Sequence, residues 1–269
     1  MSVLDVTVDD GVAVITMNRP DKRNAINPEM MVRLADAWTR VREDDSIRVA
    51  LLTGAGTEAF CAGGDLRTLV PLLTRARPAS DEWDERLLAE QRNIMNAAML
   101  RTDDFPKPII AAVNGLCFAG GMELMLATDL RVSAEKARFA LTEVQRGLIP
   151  GGGSVARLPR QVPTAVAMEF LIVGEPVSAQ RAHQVGLLNA LVPDGEEQLV
   201  ATTMARRVAH NAPLAVHAVK SVGAASVDVP LMDAFGLEDQ AVRTIMRSED
   251  AKEGARAFVE RRPPAFTGS

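Results

Sequence analysis

The stretch KPIIAAVNGLCFAGGMELMLATDLRV, residues 107–132, makes three structural statements in one run. Residues 107–115 are mostly apolar and bounded by glycine, which reads as a buried strand. A loop with Gly120-Gly121 follows, and then an apolar helix whose first turn carries Glu123. The loop has an earlier likeness: FCAGGDL, residues 60–66, beside FAGGMEL, residues 118–124. Each runs from phenylalanine through small residues and two glycines to a carboxylate. Glycine loses more conformational freedom on folding than any other residue. Two such pairs beside acids therefore mark places where the backbone must be bare.

Working outward, VLDVTVDDGVAVITMN reads as two strands joined at Asp10-Gly11. Pro28 opens a helix with Met30, Leu34, Trp38 and Val41 on its core face. IRVALLTG is a buried strand leading to FCAGGDL. Residues 66 to 104 are more polar; RARPASDEWDER is expected as mobile surface, and a single helix is expected to carry Leu87, Leu88, Ile94, Met95 and Ala98 inward. LRVSAEKARFALTEV supplies two short extended pieces, and GLIPGGGSVARLPR a glycine turn entering a helix. Beyond about residue 195 strand signals stop. EEQLVATTMARRVAHNAP, LMDAFGLEDQAVRTIM and SEDAKEGARAFVERR are three helices in a row, with Pro213 and Pro230 as punctuation. The expected class is α/β with a helical C-terminal part. No fixed period runs along the chain, so the two similar loops are not read as a structural repeat.

Of 269 residues, 47% are hydrophobic and 24% charged, with a formal net charge of −5. That balance supports a sizeable core and argues against a nucleic-acid binder, which shows a basic face. No basic-then-apolar leader opens the chain, and no apolar run reaches the ~18 residues of a membrane span. Cys61 and Cys117 make no disulfide framework and fit a reducing cytoplasm as buried fillers.

Gly54-Ala55-Gly56-Thr57-Glu58-Ala59 follows a strand and matches G-x-G-x-x-A. No helix or second acidic strand comes after it, so it is a turn rather than a dinucleotide site. His183, His210 and His217 lack metal-ligand spacing, and no nucleophile elbow or P-loop occurs. What remains are Glu123 and Glu143, twenty residues apart, each beside a glycine loop. Either alone would pass as a helix-terminal acid. Together with two bare loops they form a specific constellation.

The segments FCAGGDL, KPIIAAVNGLCFAGGMELMLATDLRV and FALTEVQRGLIPGGGSVARLPR resemble the enoyl-CoA hydratase/isomerase, or crotonase, superfamily, as does the tail SEDAKEGARAFVERRPPAF. The resemblance implies the crotonase (ClpP/crotonase-like) fold, an α/β spiral of repeated ββα units with a helical C-terminal region. It implies a core over residues 1–195 holding the acyl-CoA site and a trimerisation region over 196–269. The backbone N–H groups of Gly64 and Gly120 become an oxyanion hole for a thioester carbonyl. Donors at ~3 Å need bare backbone around them, and losing one typically costs about 3–4 kcal/mol of barrier. Glu123 and Glu143 match the pair that holds a water in hydratases, implying hydration of a 2-enoyl-CoA or the reverse dehydration.

Coenzyme A is then part of the substrate and no separate cofactor or metal is implied. Lys22, Arg23 and Ala25 match the adenine-binding loop, and Arg67 adds a local cation. Asp21 stands where many hydratases carry a basic residue. Phe258 and Arg261 match tail positions that reach a neighbouring subunit's coenzyme A in a homotrimer or hexamer. Ser154 stands where hydratases often have glycine; with the tail FVERRPPAF it gives a second resemblance, to carnitinyl-CoA dehydratases. Enoyl-CoA isomerase activity is a further alternative. A catalytically silent scaffold or RNA-binding relative is disfavoured by the intact glycines and glutamates. Residues 66 to 104 are expected to cover the acyl pocket.

Overall fold

Asp10 and Gly11 both take positive φ, 47° and 74°, the pair of values that a tight two-residue hairpin requires. They join β1 (Leu4–Asp9) to β2 (Val12–Met17) in antiparallel register, Asp9 opposite Val12. The structure is a computed structural model and describes residues 2–101 and 105–269. Helix α1 (Pro28–Glu43) begins where expected, with Pro28 at its first position and the Asn27 side chain accepting from the Met30 N–H at 3.0 Å. Met30, Leu34, Trp38 and Val41 are buried along it.

The chain then winds in a spiral. Each turn lays one strand into a first sheet and a three-residue strand into a second. β3 (Val49–Gly54) is followed by β4 (Ala59–Cys61), β5 (Ile109–Val113) by β6 (Leu116–Phe118), and β7 (Leu130–Ala134) by β8 (Arg138–Ala140). The smaller strands β9 (Val177–Ser178) and β10 (Ala190–Val192) complete the sheets. The first sheet has the order β1-β2-β3-β5-β7-β10 and the second β4-β6-β8-β9. This is the ββα spiral that the family resemblance implies. It also corrects one expectation: FCAGGDL and FAGGMEL leave paired strands, β4 and β6, with Cys61 opposite Cys117. The two loops are therefore structurally equivalent places in successive turns. The repeat escapes the sequence because the segments between them differ in length and type.

Between β4 and β5 lie α2 (Leu69–Leu73), α3 (Glu82–Ala89) and α4 (Gln91–Ala98). The single helix expected here is broken at Glu90, and Leu88 is exposed rather than buried. Nor is RARPASDEWDER loose surface. The Asp84 carboxylate is 1% exposed and accepts from both Arg77 terminal nitrogens and from Ser80, which holds its pKa down to about 2. Residues 102–104, the end of the expected cover over the pocket, lie outside the described residues.

The short α5 (Gly120–Met125) carries Glu123. Its C-terminal end is held by Arg131, buried on β7, which donates to the carbonyls of Met125, Leu126, Thr128 and Leu187 at 2.9–3.2 Å. Burial depresses the guanidinium to about 10; Met125 and Leu126 keep other donors once it goes, from Thr128 and Gln161, but the carbonyls of Thr128 and Leu187 lose theirs. Arg131→Met should therefore destabilise the fold by about 3–5 kcal/mol, measured as a lower urea midpoint at unchanged m-value.

After a turn at Glu143–Arg146 come α6 (Ser154–Gln161), α7 (Thr164–Met168) and α8 (Ala179–Gln184). The C-terminal part holds four helices rather than three: α9 (Glu197–Ala209), α10 (Pro213–Ser226), α11 (Leu231–Ile245) and α12 (Glu249–Glu260). Pro213 starts α10 instead of separating two segments, because proline suits a first helical position. On α9, Ala201, Ala205 and Ala209 pack against Val49, Leu51, Ile110, Ala112 and Val132 on the outer face of the first sheet. Among the described residues no helix is long and apolar enough to cross a membrane.

Candidate active site

The two glycine loops meet because their strands pair. A Cβ on Gly63 would lie 2.6 Å from the Ala119 Cβ and 3.2 Å from the Gly120 nitrogen. A Cβ on Gly121 would lie 2.3 Å from the Cys61 carbonyl oxygen. Glycine is required here for close backbone approach. Ala119 itself takes φ 48° and ψ −126°, a conformation unfavourable for an L-residue. Such strain costs on the order of 1–3 kcal/mol and persists only where the surroundings enforce it.

Neither Gly64 nor Gly120 spends its N–H on regular structure. Ile26 bridges the first loop by donating to Gly63 and accepting from Asp65, both at 2.8 Å, so the ladder passes over Gly64. Gly120 is the first residue of α5, where an N–H has no acceptor within the helix. A Cβ built on Gly120 would be 3.6 Å from the Gly64 nitrogen. Two N–H groups with no acceptor among the described residues thus lie close together.

The two loop carboxylates do different things. Asp65 pairs with Arg19 at 3.0 Å, and the other terminal nitrogen of Arg19 donates to the Ala25 carbonyl. Asp65 is thereby an anchor that ties the first loop to residues 19–25. Glu123 faces the glycine turn before α6 and is 5% exposed. Its Oε1 accepts from the Gly152 N–H at 2.7 Å, the Ser154 hydroxyl at 3.0 Å and the Ser154 N–H at 3.3 Å. A Cβ on Gly152 would sit 2.8 Å from Oε2, so that glycine makes room for the carboxylate.

Glu143 opens the turn after β8 in a contrasting environment. It is half-buried, and its Oε2 is shielded from solvent with no hydrogen-bond partner among the described residues. Burial, joined by the neighbouring Glu123 charge, pushes its pKa up from 4.5 to about 7. One carboxylate is saturated with donors on one oxygen; the other has an oxygen with no partner among the described residues and a pKa raised to about 7.

The remaining sequence candidates are spread out. Lys22 and Arg23 are exposed, and Arg23 lies 3.9 Å from Glu58. Ala25 sits in the same loop, and exposed Arg67 follows Asp65, to which its N–H donates at 2.9 Å. Phe258, 85% exposed, and Arg261 occupy the end of α12. Cys61 and Cys117 are fully buried free thiols, Cys61 pushed by burial to about 12. Three supporting residues escape sequence reasoning. Besides Arg19, the side chains of Asn24 and Asn114 both donate to the Ala59 carbonyl, at 2.8 and 3.2 Å, closing the Gly54–Ala59 turn. Only contacts across 35–60 residues reveal them.

Residues 7–269 match the family described as enoyl-CoA hydratase/isomerase. An enoyl-CoA hydratase of Mycobacterium tuberculosis is 39% identical over 94% of this chain and 92% of its own. A carnitinyl-CoA dehydratase of Proteus mirabilis is 36% identical over 98% of both chains. The crystal structure of an enoyl-CoA hydratase from Mycobacterium marinum superimposes with a TM-score of 0.87 at 39% identity, covering 100% of each chain.

Proposed function

The chain belongs to the enoyl-CoA hydratase/isomerase family and is a hydratase-type enzyme, and from that premise we propose that Glu123 and Glu143 add water across the double bond of a 2-enoyl-CoA, or run the reverse dehydration. The observation that carries this reading is the contrast between the two carboxylates. Groups held in unlike environments within electrostatic reach divide acid and base work between them. The thioester oxygen accepts from the N–H groups of Gly64 and Gly120. Glu123, fixed through Oε1, takes a proton from water through Oε2 as the oxygen bonds to Cβ. The C=C electrons move toward the thioester oxygen as an enolate, and protonated Glu143 delivers its proton to Cα. Donors already aimed at that oxygen stabilise the enolate without reorganising.

In this scheme coenzyme A enters as part of the substrate and no resident cofactor takes part. Lys22, Arg23, Ala25 and Arg67 would receive its adenine and phosphates, since a phosphate favours a cationic rim. A panel of acyl-CoA thioesters tests the reading. Loss of enoyl absorbance at roughly 1–10³ s⁻¹ with an unbranched 2-enoyl-CoA supports it. Turnover confined to a 3-enoyl-CoA or to a thioester with a quaternary ammonium group replaces it with the isomerase or carnitinyl reading.

Assembly is part of the proposal. Leu231, Met232, Val242 and Met246 on or beside α11 and Phe258 and Val259 on α12 are all more than half exposed. A run of large apolar residues on solvent-facing helices is an association surface. The chain should elute and scatter light as a homotrimer or hexamer, with residues 196–269 at the interface and Phe258 and Arg261 against a neighbour's coenzyme A. A monomer at micromolar concentration would contradict this. A cytoplasmic setting suits the two buried free thiols.

A further inference from the structure

Ser154 lies at the first position of α6, fully buried, with both its N–H and its hydroxyl directed at one oxygen of Glu123. With the Gly152 N–H this gives Oε1 three donors, while Oε2 takes none among the described residues. The asymmetry has a consequence. The plane of a carboxylate can swing about its last side-chain bond, whose torsion is broad, unless donors hold it. The two backbone donors are unequal, 2.7 and 3.3 Å, and the longer one is weak by ordinary geometry. The hydroxyl at 3.0 Å is the second strong contact, and it can turn its hydrogen to wherever the oxygen sits. With alanine or glycine at 154 the Gly152 N–H remains as the one strong donor, and the carboxylate plane is held less firmly.

We infer that Ser154 is a positioning residue that fixes Glu123 in one rotational state, Oε1 clamped and Oε2 presented to the reacting water. The inference rests on the assignment of Glu123 as the group that takes the water proton. The N–H and hydroxyl of Ser154 are both directed at Glu123, so its loss acts through that carboxylate's geometry. Reacting groups that are no longer held in line lose turnover more than affinity.

The test compares Ser154→Ala with Ser154→Cys, which keeps the bulk but offers only a weak donor. Hydration of a short 2-enoyl-CoA is followed by absorbance. Both variants should lose about tenfold in kcat with KM within about twofold of the parent. A packing role alone would spare Ser154→Cys. In parallel, the carboxyl carbons are labelled through [5-¹³C]glutamate, and the Glu123 resonance is assigned by its absence in Glu123→Gln. That resonance should shift and broaden in both variants. Parent-level kcat in Ser154→Ala, a loss confined to KM, or an unmoved resonance overturns the assignment of Ser154. If the parent hydrates no enoyl-CoA thioester, it is the hydratase reading that fails. The resonance then still decides whether the hydroxyl fixes the carboxylate.

Discussion

Glu143→Gln should turn over a 2-enoyl-CoA at least ~100-fold more slowly than the parent chain and should melt at a higher temperature at pH 8. The two expectations share a cause. Glu143 is half-buried, without a partner for Oε2, and beside a second carboxylate, so its pKa rises from 4.5 to about 7. A carboxyl with a raised native pKa holds its proton more tightly folded than unfolded. The stability it contributes is present in full below 4.5 and is lost as pH rises through about 7. Glutamine is a neutral shape mimic and carries no such penalty. The variant and the parent should melt together near pH 4.5 and separate increasingly up to pH 8, by an amount that solvent screening keeps small. Activity has the opposite interest. The working pair holds one proton between two carboxylates, so kcat/KM falls as pH climbs through about 7. It must fall alike for hydration and dehydration, because their ratio is a pH-independent equilibrium constant. Near-parent turnover would remove Glu143 from the mechanism, and a melting difference that ignores pH would contradict its raised pKa.

Gly152→Ala should lower kcat about 100-fold while Gly151→Ala leaves it within about twofold. Gly151 is exposed, whereas Gly152 is buried against Glu123. At Gly151 there is nothing within 4 Å; at Gly152 the new carbon would be 2.6 Å from the Met99 methyl and 2.8 Å from Glu123 Oε2. The end of a methionine side chain can swing aside. Glu123 cannot, because three donors hold its other oxygen and one is the Gly152 N–H itself. The carboxylate must shift by a good part of an ångström, at a stability cost of about 1–3 kcal/mol. Urea unfolding run beside the kinetics separates the two effects. Equal turnover in both variants would show that Glu123 is not where the rate is made.

Where the sequence was legible, the signal was local. The Asp10-Gly11 turn, the Asn27-Pro28 helix start and the apolar run before Asn114 each declare themselves within a few residues. So do the glycine pairs, whose bareness has a physical purpose. The failures are of two kinds. Pro213 reads as a stop because proline interrupts helices, yet at a first position it begins one, and α10 is rich in alanine and valine with little contrast between faces. The second kind is distance. Arg19 reaches Asp65 across 46 positions, and Ser154 reaches Glu123 across 31. Nothing in either neighbourhood says what the side chain will touch. Asp65 and Glu123 look alike beside their glycines, and only the fold reveals that one is an anchor and the other faces the glycine turn.

The pairing of β4 with β6 sets more than the meeting of two loops. Gly64 stands three residues beyond Cys61, and Gly120 three beyond Cys117, the two residues that face each other across the strands. Equal offsets from that shared pair bring the two glycines together, and a Cβ on Gly120 would lie 3.6 Å from the Gly64 nitrogen. The strand pairing acts as a ruler, which the Ile26 backbone bridge and the Asp65–Arg19 pair help to hold. A single residue inserted between Cys61 and Gly64 would change the measure at once.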